Sequence, residues 1–363
     1  MEFLSLTNRY TFLNEGVIYV NGTGNAGQLG PYLFVAFPVA MLAMAAGLVG
    51  NVLLIIATRK SPRLKAPIFQ LLFAIAFADI ILLISFSLPE IASKFNDGRW
   101  MFGSKGCTLL AFFQFLPAHV TSCLIVVCCW ERFNAVCRPH SAMMITSRKM
   151  SGIIAITWLL NAGVLAPLIV MTKEVLLKYP APHEGADLPT ATSCYLEMEP
   201  HIKQLYFTIM GMVFYGITAI VSIAYLACTI CKAMNVDLEN YFIKDDFKNH
   251  ILRSTAVITT ISIIFYLPYR YIYFYNLHTR ATVNNDNDVM ILLGTVMVIL
   301  GGAVKPFVYI TASSRFRKSA FRALKCCGTS RKEYEQTHGF RMSEKFVESD
   351  RPLLNVNKLA VIS

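Results

Sequence analysis

The sequence predicts an all-α membrane protein: a bundle of seven transmembrane helices followed by a short amphipathic eighth helix. Three observations carry that expectation. The 363 residues are 55% apolar and only 15% charged, against about 25% charged in an average soluble domain. Their mean hydropathy is +0.51, and the charges avoid seven long apolar runs. One water-soluble globule of this composition would expose large apolar areas. A run of about 18 or more apolar residues is long enough to cross ~30 Å of hydrocarbon, and a helix satisfies all its backbone amides there internally.

The first run covers residues 31–58 and, like 150–172 and 204–231, holds no acidic or basic residue. The run 66–89 carries Asp79 alone, and 107–130 carries only His119. The sixth, 252–276, has Arg253 at its inner edge and Arg270 near its outer end, and the seventh, 289–313, is interrupted by Lys305. Lys and Arg in the flanking segments set the orientation, because short basic loops stay on the cytoplasmic side. Of these 33 residues, the segments after spans one, three and five and the C-terminal tail hold 23, and the N-terminal segment and remaining loops hold 8. The expectation is a multi-pass cell-membrane protein with its N-terminus outside and its C-terminus in the cytoplasm. The formal charge of +11 then reads as topology and contact with anionic membrane lipid. Nucleic-acid binding is not expected, since no soluble domain remains to host it.

Residues 1–30 are expected as an extracellular segment, 31–312 as the bundle, 313–327 as the amphipathic helix and 328–363 as a disordered cytoplasmic tail. The N-terminal segment lacks the basic start, apolar core and small-residue site of a cleavable signal peptide, so the first span is expected to direct insertion. Asn21, followed by Gly22 and Thr23, fits the N-glycosylation pattern. Within 314–325, Phe316, Ala320, Phe321 and Leu324 share one face opposite basic residues, the pattern of a helix lying in the interface plane. Cys326 and Cys327 end that stretch and are candidate palmitoylation sites.

The residues inside the runs can be read together. Span one has Gly50-Asn51-Val52 and span two Ala78-Asp79. Span three opens with Cys107 and closes with Glu131-Arg132-Phe133, 25 residues separating Cys107 from Arg132. Span four has Trp158 and Pro167, the loop after it Cys194, span six Phe265-Tyr266-Leu267-Pro268, and span seven Lys305-Pro306-Phe307-Val308-Tyr309. In this order, over residues 31–327, the chain resembles the rhodopsin-like, or class A, G-protein-coupled receptors. The resemblance implies a receptor that passes extracellular ligand binding to a heterotrimeric G protein. It implies that Glu131 holds Arg132 in the inactive state and that Arg132, with Tyr225 and Tyr309, forms the G-protein switch. Tyr266, Pro268 and Pro306 are the implied hinge. Cys107 and Cys194 are expected to pair, since both then face the oxidising compartment. No cofactor, metal or enzymatic activity is expected: an intramembrane enzyme needs a cluster of His and acidic groups, and His119 stands alone in its run. A transporter or channel would show more intramembrane charges or repeated halves.

Departures from the family pattern carry further expectations. Lys305 stands where the family has Asn beside the acidic residue of span two, here Asp79. An unpaired ammonium at membrane depth costs at least ~2.5 kcal/mol, so an Asp79–Lys305 pair is expected in place of a sodium site, the alternative being Lys305 snorkelling to water. Pro117, Gly301 and Gly302 stand where polar side chains often line that site. Ile217 replaces the usual Pro of span five, Ser262 a usual Phe and Tyr266 a usual Trp of span six.

Gln114 occupies the position of the amine-binding Asp, which argues against an amine ligand. Ile299 occupies the position of the retinal-binding Lys, and Lys305 lies six residues, about 9 Å, deeper, so retinal linkage is not expected; a non-photosensitive opsin-like receptor remains the alternative. Gln114, Tyr266, Tyr269, Arg270 and Tyr273 are the expected ligand pocket, with Arg270 placed to meet a carboxylate or phosphate, unless these aromatics form an interfacial belt. Glu184, Asp187, Glu197 and Glu199 make the second outer loop acidic, which suits a basic peptide. The ligand, peptide or small molecule, stays open at this point. Tail residues Thr329, Ser330, Thr337, Ser343 and Ser349 are candidate phosphorylation sites for arrestin binding.

At the inner end of span six Lys248 stands where many family members have Glu facing the span-three Arg, while Asp245 and Asp246, one turn earlier, are the candidates to substitute. This predicts a weak inner lock, so Lys248→Glu should lower ligand-free second-messenger output; equal basal levels in the two proteins would contradict it.

Overall fold

In a computed structural model of the chain, the described residues are 10–14, 17–20, 26–60, 67–95, 100–143, 145–178, 190–235, 246–279, 285–312 and 317. Helix one is Ala26–Lys60, helix two Pro67–Phe95, helix three Gly103–Cys137 and helix four Ser147–Met171. The fifth is composite: α-helical over Pro200–Gly211, π-helical over Met212–Ile217, and α-helical again over Thr218–Asn235. Helix six is Asp246–Thr279 and helix seven Asn285–Ala312. Seven stretches of these helices are long and apolar enough to cross a membrane. Each helix outruns its apolar run at one end or both, because backbone hydrogen bonding continues wherever neighbours or water supply partners. Helix three therefore carries Glu131 and Arg132 within its length, and helix one begins at Ala26, ahead of the expected boundary at residue 31.

Local sequence explains several ends. Thr146 caps helix four, its side chain accepting a hydrogen bond from the Lys149 amide at 3.3 Å, and Pro200 opens the fifth helix where an amide is dispensable. The π-helical turn lies where the sequence has Ile217 in place of a proline. A π-helix inserts one residue into a helical turn, so it distorts the fifth helix by a different means.

The expectation of an all-helical chain needs one addition. Strands β1 (Tyr10–Asn14), β2 (Val17–Val20), β3 (Thr172–Lys178) and β4 (Thr190–Leu196) form a four-stranded sheet in that order. The β3–β4 hairpin follows helix four directly, and β2 pairs with β3 in parallel, Val17 opposite Leu176. A disulfide joins Cys107 at the start of helix three to Cys194 in β4, with Cα atoms 5.4 Å apart. The Thr108 hydroxyl donates to the Thr172 carbonyl at 3.1 Å, and Leu196 is buried in the helical core. The hairpin is thus pinned to one end of the bundle, the disulfide end.

Around a largely apolar core, the bundle also exposes large apolar side chains and buries several polar ones. Phe34, Leu42, Leu159 and Ile220 are exposed, while Asn51, Asp79, Ser85, Gln114, His119 and Lys305 are buried. Apolar side chains face the lipid, and Asn51, Asp79, Ser85, Gln114 and Lys305 find hydrogen-bond partners inside. Asn21, Cys326, Cys327 and the amphipathic stretch and tail beyond Ala312, Arg317 excepted, lie outside the described residues.

Candidate functional site

The bundle centre is built on close helix approach. A Cβ at Gly47 would lie 2.8 Å from Ala303, and one at Gly50 2.8 Å from Pro306 Cγ, so glycine is what allows helix one to lie this near helix seven. Asn51 Nδ2 donates to the Gly47 and Gly302 carbonyls at 2.9 and 3.2 Å, tying the two helices. On the other flank a Cβ at Gly301 would lie 2.9 Å from Phe265 of helix six. Helix seven is thereby seated deep enough that Lys305 is 1% exposed and Asp79, facing it from helix two, 0%.

Lys305 Nζ donates to Asp79 Oδ1 at 2.7 Å and to the Tyr266 hydroxyl at 3.3 Å. The three side chains join helices two, six and seven. Two full charges at this depth are tolerable only together, because each alone would bear its whole desolvation cost. Pro268 and Pro306 sit inside continuous helices six and seven, where each removes a backbone donor and weakens the helix locally.

Tyr266 has a second neighbourhood. It lines a cavity of about 440 Å³ between helices three, five and six, together with Arg270 and Tyr273. Arg270 Nη2 donates to the Tyr215 hydroxyl, and its guanidinium lies 3.9 Å from the Tyr215 ring and 5.6 Å from those of Phe115 and Tyr269. Such face contacts stabilise a partly desolvated cation.

Two residues expected in the pocket stand outside its lining. Gln114 turns to helix two, Nε2 donating to the Ser85 carbonyl at 3.1 Å, while Ser85 Oγ donates to the Phe113 carbonyl at 2.9 Å. Tyr269 packs edge-on to Phe86 at 5.6 Å between ring centroids. The common helical face holding Tyr266, Tyr269, Arg270 and Tyr273 is broad enough to meet different neighbours, and only part of it meets the cavity. In their place the lining includes His119, Tyr215 and Ser262, which sequence reasoning did not assign to a pocket. His119 stacks on Phe214 at 4.7 Å and 6°. The Tyr215–Arg270 contact joins residues 55 apart and starts from within the π-helical turn, so no local spacing announces it.

At the other end of the bundle Arg132 and Glu131 form a buried ion pair. Tyr225 packs against Phe133 at 5.4 Å between centroids, and Tyr309 is buried in the core beside Cys128 and Cys129. The side chains of Asp245, Asp246 and Lys248 lie outside the described residues.

The model of the family described as "7 transmembrane receptor (rhodopsin family)" matches residues 50–309. The chain belongs to this family. It is a G-protein-coupled receptor, and its class is one of signalling proteins rather than enzymes. The receptor is 21% identical over 350 residues to a thyrotropin-releasing hormone receptor of Bos taurus, covering 88% of this chain and 85% of that one. It is 23% identical over 291 residues to a rhodopsin of Galeus melastomus, 79% of each chain. A bombesin receptor of Bombina orientalis is 22% identical over 297 residues, 79% of this chain and 75% of that one.

The receptor's central pair makes a directional prediction. Asp79→Asn or Lys305→Met alone strands a buried polar group or charge, at a cost of about 3–5 kcal/mol, and should sharply lower thermal stability in detergent. The double variant, which removes both charges, should recover most of the loss. Equal stability of the single variants and the parent would contradict the pairing.

Proposed function

We propose that this receptor binds an extracellular ligand, a peptide or small molecule, in the cavity beside Arg270, and that occupancy is relayed through Tyr266 to the Asp79–Lys305 pair and onward to Arg132. The observation that carries this reading is the double engagement of Tyr266: it lines the cavity and its hydroxyl accepts from Lys305. A ligand that displaces Tyr266 changes the surroundings of the ion pair, while helix six bends about Pro268. Outward movement of its far end exposes Arg132, which exchanges Glu131 for the G protein. The ligand works by binding the open state more tightly than the closed one. Relatives named for the peptides thyrotropin-releasing hormone and bombesin support an extracellular signal.

In this reading the disulfide end lies outside, as the distribution of Lys and Arg favours, and the N-terminus with it; the C-terminus is cytoplasmic. Asn21 carries a glycan, Cys326 and Cys327 carry acyl chains that hold the amphipathic stretch on the inner leaflet, and phosphorylated tail residues recruit arrestin.

Arg132→Ala should reduce receptor-stimulated guanine-nucleotide exchange to background while surface expression stays normal. Full exchange by this variant would refute the assigned role, and ligand-independent ion flux would favour a channel.

A further inference from the structure

The cavity beside Tyr266 is bounded by helices three, five and six alone; no described residue of helix two, helix seven or the β3–β4 hairpin lines it. Several lining side chains belong to the outer surface of the bundle: Met212 is 55% exposed, Leu267 62% and Tyr271 66%. On a spanning helix an exposed apolar side chain faces acyl chains, so the cavity communicates sideways with the bilayer, between the fifth helix and helix six. Open space borders the fifth helix here: a Cβ at Gly211, at the start of the π-helical turn, would meet nothing within 4 Å, and Gly216 and the buried Ser262 also line the cavity.

The chemistry of the slot is graded along its length. On helix six its lining runs from Thr259 to Phe274, about 22 Å along the axis. Charge is confined to the Arg270 end. No described carboxylate pairs with Arg270, and its Nε makes no hydrogen bond among the described residues; nor does the hydroxyl of Tyr273, a residue 8% exposed. Midway stand two further unpartnered polar atoms, His119 Nδ1 and Ser262 Oγ. Elsewhere Ile125, Ala219 and Ile263 supply apolar walls. A guanidinium whose polar neighbours among the described residues are tyrosines and His119, with no carboxylate beside it, is complemented by an anionic oxygen pair, which it engages bidentately, while the walls accept hydrocarbon.

We propose that this cavity binds a single-chain anionic lipid. Its carboxylate or phosphate head pairs with Arg270, its acyl tail lies along helix six towards Thr259, and it arrives from the bilayer through the gap between the fifth helix and helix six. The proposal rests on the receptor reading above for its consequence in signalling, and names the ligand class of the same cavity.

The test uses the full-length receptor in nanodiscs of phosphatidylcholine without G protein, with radiolabelled oleate as probe. Oleate should bind saturably and raise the melting temperature. Oleoyl lysophosphatidate should compete, and the tighter of the two identifies the head group as carboxylate or phosphate. Methyl oleate and oleylamine should fail to compete. Arg270→Gln should weaken oleate binding tenfold or more. Ser262→Phe, which fills the inner part of the slot and spares Arg270, should weaken oleate while leaving octanoate unchanged. Competition by oleylamine or methyl oleate equal to that of oleate, unchanged affinity in Arg270→Gln, or saturable binding of peptides alone would overturn the proposal. Nucleotide exchange measured on the same nanodiscs after G protein is added separates the two readings: if both anionic lipids fail while Arg132-dependent exchange persists, the lipid proposal falls and the receptor reading stands.

Discussion

A lysine ammonium placed in the middle of a membrane domain demands an anion, and here Lys305 meets Asp79 at 2.7 Å with both side chains fully enclosed. Much of the surrounding packing is arranged to make that meeting possible. Helix seven must lie close to helices one, two and six at once, and this accounts for the glycines at 47, 50 and 301, where a single methyl group would collide with a neighbouring helix. Asn51 fastens the same junction by bridging the Gly47 and Gly302 carbonyls. The pair contributes little net stability once desolvation is counted. What it contributes is specificity, because only one arrangement of helices two and seven brings the charges together.

Tyr266 links that arrangement to the cavity. Its hydroxyl completes the ammonium's hydrogen bonding while its ring forms part of the cavity wall, so the contents of the cavity and the geometry of the pair share one side chain. The π-helical turn and Ser262 leave space on the cavity side, and Pro268 weakens helix six two residues from Tyr266. Space, hinge and contact thus lie within a few residues of one another, a suitable place for a small ligand-induced shift to be amplified by discrete repacking.

The bundle is legible in the sequence because lipid imposes a one-dimensional rule: a run long and apolar enough to span must be a helix, whatever its neighbours. The sequence also marks Asp79 and Lys305, since lone charges in apolar runs stand out, and the structure sets them in contact. The sheet is not legible. β2 pairs with a strand more than 150 residues away, and the β3 segment, TKEVLLK, carries no sign of that partner. The π-helical turn escapes a reading based on a 3.6-residue period, and with it the approach of Tyr215 to Arg270. Helical spacing points Tyr269 towards the cavity and family position does the same for Gln114, but neither names the neighbour that the side chain meets.

The central claim is that Tyr266 and the Asp79–Lys305 pair act as one coupled unit, and a double-mutant cycle on basal nucleotide exchange tests it most directly. Tyr266→Phe would be measured in the parent receptor and in the Asp79→Asn/Lys305→Met background. Loss of the hydroxyl should raise basal exchange in the parent and have little further effect where the ammonium is gone, a coupling of about 0.5–3 kcal/mol. Equal effects of Tyr266→Phe in the two backgrounds would contradict it.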